Sequence, residues 1–91
     1  MSVAHWTTRA RVDVALIDDL YREIDPELAD RFGREALKAA RFLAATPGAG
    51  PAVELGLRKW PVRHSSYLLF YRVVADGVEI IRVRHSREDW R

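Results

Sequence analysis

At 91 residues, with 48% hydrophobic and 31% charged, the chain has no room for a second domain and is too apolar for intrinsic disorder. It has no cysteine, which excludes disulfides and thiolate metal sites and leaves stability to packing or to a partner. No apolar run approaches the roughly 20 residues that span a bilayer, and the start, Met1 to Trp6, lacks a signal-peptide pattern, so the expected location is the cytoplasm.

The net charge is only +2, but it is unevenly placed. Residues 1–50 hold seven basic and eight acidic groups, whereas residues 51–91 hold eight basic groups (Arg58, Lys59, Arg63, Arg72, Arg82, Arg84, Arg87, Arg91) against five acids. Such a field attracts nucleic acid, an acidic protein surface or an acidic peptide without choosing among them. Seven of the eight are arginine, which suits bidentate carboxylate or phosphate contacts.

In chain order, Val3 to Thr7 reads as a first strand leading into Thr7-Thr8, a pair able to cap a helix. From Arg9 to Ile24 apolar residues recur at Val12, Leu16, Leu20 and Ile24, widened by Ala15, Ile17 and Tyr21, and this stripe is the predicted buried face. Arg11, Asp18, Asp19 and Arg22 make the opposite face charged. Asp25-Pro26-Glu27 ends this helix and starts another, with Asp25 as N-cap and Pro26 at the first helical position. The second helix runs to about Ala45 on a face of Leu28, Phe32, Ala36, Ala39, Ala40 and Leu43, its alanines permitting close approach of the hairpin partner.

Two prolines and two glycines between Thr46 and Pro51 stop it, and the period then changes. Leu57 to Arg63 reads as a strand that Pro61 confines to an edge or bulge, and Tyr67 to Val74 as a nearly continuous apolar, central strand. Asp76-Gly77 supplies the turn of a hairpin completed by Val78 to His85. Strict alternation in that last strand groups Glu79, Ile81, Val83 and His85 on one face and Val78, Ile80, Arg82 and Arg84 on the other. The fold class is therefore α+β: an N-terminal strand, a helical hairpin and an antiparallel three-stranded meander, β-α-α-β-β-β, in one domain over residues 1–91.

No phosphate-binding glycine loop or histidine metal spacing is present, and no cofactor or metal is expected. His64 and His85 could act as acid and base on an RNA 2′-hydroxyl with an arginine stabilising the phosphorane; the favoured reading is that they are ordinary polar residues at strand ends. The tail Arg87-Glu88-Asp89-Trp90-Arg91 sets an aromatic between charges, and Trp90 either folds back on the sheet or serves as an interface anchor. Trp60 is expected in or beside the core.

The series Leu57-Arg58-Lys59-Trp60-Pro61-Val62, Tyr67-Leu68-Leu69-Phe70-Tyr71-Arg72 and Asp76-Gly77-Val78-Glu79-Ile80-Ile81-Arg82-Val83-Arg84-His85 resembles the ParE branch of the RelE/ParE toxin superfamily, as does Pro26 to Phe32. The resemblance covers nearly the whole chain. It implies a toxin of a type II toxin–antitoxin module, a plasmid-stabilization element held inactive in a hetero-oligomer with a ParD-like antitoxin. ParE-like members act on DNA gyrase, and the implied target-binding residues are Arg82, Arg84, Arg87 and Trp90. RelE-like members are ribosome-dependent endoribonucleases, and that alternative would use Lys59 and Arg87 with His64 or His85. Pro61 and Leu68 stand where the nuclease branch has a lysine and an arginine, and no tail tyrosine follows. A third alternative is an inactive remnant that only binds its antitoxin. No membrane partner is implied.

Overall fold

The computed structural model describes residues 2–88. Strand β1 (Val3–Trp6) is followed by helices α1 (Thr8–Ile24) and α2 (Pro26–Ala45), a single 3-10 turn (Glu54–Gly56), and strands β2 (Arg58–Pro61), β3 (Tyr67–Val74) and β4 (Gly77–His85). The strands form one mixed sheet in the order β1-β4-β3-β2, with β1 parallel to β4 and the other pairs antiparallel. Pro61 ends the edge strand, where a missing N–H costs no ladder bond. No helix among the described residues is long and apolar enough to cross a membrane.

Local chemistry accounts for the helix ends. Thr7 Oγ1 accepts from the Ala10 N–H at 3.1 Å and itself donates to the Ile81 carbonyl at 2.9 Å, so one hydroxyl caps α1 and ties it to β4. Asp25 alone joins the helices: its N–H donates to the Tyr21 carbonyl as α1 ends, and its carboxylate accepts from the Glu27 N–H as α2 begins. Beyond α2, the buried Tyr71 hydroxyl donates to the Pro47 carbonyl at 2.8 Å and accepts from the Gly50 N–H at 2.9 Å, pinning the loop to the sheet. A side chain at position 50 would run into the Lys59 carbonyl and the Tyr71 ring, which is why glycine stands there.

The core lies between the hairpin and one sheet face: Ala10 and Ile17 of α1, Phe32, Ala36, Ala40 and Leu43 of α2, and Val62, Leu69, Tyr71, Val78, Ile80 and Val83 below them. Of the predicted stripe of α1, only the widening residues Ile17 and Tyr21 reach it. Val12, Leu16, Leu20 and Ile24 are 51%, 59%, 58% and 74% exposed, and the helix instead buries Ala10 and Ile17 flanked by Val14 and Tyr21. Both sets have helical spacing, and the contact with α2 and the sheet selects between them.

Two further expectations change in the hairpin. Val74 pairs with Gly77, so the two-residue turn is Ala75-Asp76, and Gly77 opens β4 with φ +150° where a Cβ would strike the Val3 backbone. Alternation in β4 is also broken. Tyr71 pairs with Ile80 and Phe70 with Arg82, leaving Ile81 as a bulge, so Val83 falls on the same buried face as Val78 and Ile80 rather than opposite them.

Candidate interaction groove between the first helix and the last strand

Strand β1 ends where Trp6 pairs with Ile80, so the continuation of β4 from Ile81 to His85 has no strand on that side. An open edge of this kind invites pairing with another chain unless it is covered. Here side chains cover it. The Asp13 carboxylate of α1 accepts from the Val83 N–H at 2.9 Å and takes the Arg82 guanidinium in a two-toothed pair at 2.7 and 3.0 Å. Two residues on, the Glu88 carboxylate accepts from the His85 N–H at 3.0 Å and from Arg84 at 2.8 Å.

These contacts set the electrostatics. Burial alone would raise the Asp13 carboxyl, but the Arg82 fork and the Val83 N–H outweigh it and hold the group below its usual value. Arg84, with the His85 N–H, holds Glu88 low. Arg82, bonded to Asp13, is raised despite partial burial. The cations of the last strand are thus present, side by side, and each already has an anion of the same chain.

Beside them runs an apolar channel. One cleft of about 300 Å³ is lined by Asp13, Leu16, Ile17, Leu20, Tyr67, Arg82, Val83, Arg84 and Glu88. A second, of about 200 Å³, is lined by Leu20, Tyr21, Ile24, Ser66, Tyr67 and His85. Leu20 and Tyr67 belong to both, so the two form one groove along α1. Its floor is aromatic: Tyr67 meets Tyr21, Phe32 and His85 at ring separations of 6.1, 5.5 and 5.4 Å. Burial, aided by Tyr21 and Glu88, raises the Tyr67 hydroxyl pKa, keeping it protonated and able to donate.

The sequence-predicted residues divide. Arg82 and Arg84 line the groove together, and His85 lines its far end. Arg87 is exposed in the following turn, its N–H donating to His85 Nδ1 at 3.2 Å. Trp90 lies outside the described residues. His64 sits at φ +62° in the exposed turn between β2 and β3, and Lys59 points to the sheet face opposite Trp60; neither lines a cleft described above. Asp13, Leu16, Leu20, Ile24, Tyr67 and Glu88 were not singled out as site residues from the sequence. The signal for the leucines was there in α1, which has two apolar stripes where burial against a single hairpin partner requires one.

Comparison with known proteins fits this architecture. A family model described as "ParE toxin of type II toxin-antitoxin system, parDE" matches residues 4–90. A solved structure titled "Chromosomal ParDE TA system from P. aeruginosa" superposes with a TM-score of 0.81 at 26% identity, covering 93% of this chain and 96% of that one. A search of curated proteins returns no match. With the family model spanning nearly the whole chain and the topology shared, the chain belongs to the ParE toxin family of type II toxin–antitoxin systems.

Proposed function

We propose that this toxin arrests growth by binding DNA gyrase and that a ParD-like antitoxin neutralises it by occupying the groove between α1 and β4. The observation that carries the antitoxin half is the composition of that groove. Three exposed aliphatic side chains at helical spacing stand beside two arginines and an aromatic floor. An amphipathic segment complements this surface, laying apolar side chains against Leu16, Leu20 and Ile24, with any carboxylate it brings to Arg84 competing with the exposed Glu88. Its binding would stabilise a small fold by mass action.

Support for inhibition by binding, over RNA cleavage, comes from family membership and from dispersion of the groups a nuclease needs. Lys59 and His64 lie away from the groove that holds His85, and the His85 imidazole is engaged by the Arg87 N–H and packed edge-on to Tyr67. Catalytic groups act as a unit, and removing parts of a set loses most of its rate. In the gyrase reading, Arg82, Arg84, Arg87 and Trp90 contact the target.

The test is induced expression with parallel readouts of gyrase-linked DNA breaks and messenger RNA cleavage, followed by supercoiling assays with purified toxin. Gyrase-linked breaks without transcript cleavage are the expected result. Transcript cleavage in ribosome-containing extracts, lost on Lys59→Ala, would replace this reading with the endoribonuclease one. Absence of growth arrest would select an inactive antitoxin-binding remnant.

A further inference from the structure

The arginines of β4 are neutralised within the fold, whereas those of α2 are not. Arg31, Arg34, Lys38 and Arg41 follow one another at intervals of three and four along α2, and all four are exposed. Arg31, Arg34 and Arg41 make no ion pair with any described residue; Lys38 has only a long contact to Glu35 at 3.9 Å. The nearby acids lie at the start of the helix, where Asp30 is engaged by Arg22 at 3.1 Å and Glu27 sits in the first turn. The row spans about 15 Å at 1.5 Å per residue.

The row continues onto the sheet. Arg63, just beyond β2, lines a cleft of about 280 Å³ with Glu35, Lys38, Ala39, Phe42, Trp60 and Pro61. Five cations thus run along α2 and onto the end of β2. Arg31 and Arg34 share a cleft with Asp25, Glu27 and Asp30 at the start of the helix, and Lys38 and Arg63 share one with Glu35, so the acid-poor stretch is that from Lys38 and Arg41 to Arg63. Phe42 and Trp60 stack at 5.2 Å and 27°, holding this edge of β2 against the helix.

We propose that this face of α2, with Arg63, binds the phosphate backbone of duplex DNA directly. Duplex DNA has the highest charge density of the candidate polyanions, and four of the five cations are arginines suited to phosphate oxygens. Among the large apolar side chains of α2 only Leu37 and Phe42 are exposed, fewer than the clustered anchors that centre a protein interface. A single strand would be held by free aromatic faces, but Phe42 and Trp60 are stacked on one another. The contact reads charge and not sequence. It is independent of the gyrase and antitoxin readings.

Fluorescence anisotropy of a labelled duplex of about 20 base pairs, titrated with the full-length toxin at low salt and again at about 200 mM salt, tests the inference. Affinity is expected to fall with a log–log slope of about −3.6 to −4.5, as for the release of counterions from four or five phosphates. Arg34→Glu and Arg41→Glu are each expected to weaken binding about tenfold, and Arg34→Gln and Arg41→Gln by less in the same order. Arg9→Glu removes the same charge from α1 and should shift binding by less than about twofold. No binding at low salt, equal weakening by Arg9→Glu, or tighter binding to a single strand or to polyglutamate would each overturn the proposal. Circular dichroism of every variant checks that it is folded.

Discussion

Two apolar stripes run along α1 and meet different fates. Ala10, Val14, Ile17 and Tyr21 face α2 and the sheet; Val12, Leu16, Leu20 and Ile24 stand in solvent beside the groove. The exposed stripe is the more aliphatic of the two, so hydrophobicity along the helix does not decide which side is buried. Partner geometry does. The buried alanines of α2 let the two helices approach, and Asp13, between the stripes, anchors α1 to β4 through Arg82 and the Val83 N–H. The stripe that stays exposed is the surface proposed above for the antitoxin, since a contiguous exposed apolar line marks a candidate contact site.

Mutations can break or sharpen that contrast. The largest effect is expected on the buried side: Ile17→Ala should lower unfolding free energy by about 2–4 kcal/mol in urea titrations, since it opens a cavity under α1. Removing the anchor comes next. Asp13→Ala strips the Val83 N–H and the part-buried Arg82 of their partner and should cost about 1–3 kcal/mol. The same pair predicts a pH dependence. The folded Asp13 pKa is depressed, so its contribution is fully present above the unfolded value of about 3.9 and is lost as pH falls through the folded value. The stability gap between wild type and Asp13→Ala should therefore be constant from neutral pH down to about pH 5 and close below about pH 4. The smallest effect belongs to the exposed side, where Leu20→Ser should change stability by less than about 0.5 kcal/mol. Were Leu20→Ser as costly as Ile17→Ala, the exposed stripe would be structural and the contrast false.

The legible parts of the fold are those fixed by neighbouring residues. Thr7 and the Asp25-Pro26 pair announce the helix ends, Pro61 its edge position, and the apolar run Tyr67 to Val74 the central strand, because each depends on backbone chemistry within a few residues. The misread parts depend on residues far apart in sequence. The Ile81 bulge is held by Thr7, 74 positions away, and Arg82 is neutralised by Asp13, 69 positions away; no local pattern reports either. Arg82 and Arg84 line one cleft, as their alternation in sequence suggests, but the carboxylates that engage them, and the aliphatic wall beside them, come from elements the charge pattern did not connect to β4.

In the proposed assembly the exposed stripe of α1 and the arginines of β4 form one binding surface for the antitoxin. Calorimetric titration of the toxin with its cognate ParD-like antitoxin, comparing wild type with the Leu16→Glu, Leu20→Glu double variant, tests it most directly. Affinity should fall by about a hundredfold or more, since two central anchors are lost, while the urea midpoint stays near that of wild type. Unchanged affinity in a folded double variant would place the antitoxin elsewhere and contradict the account.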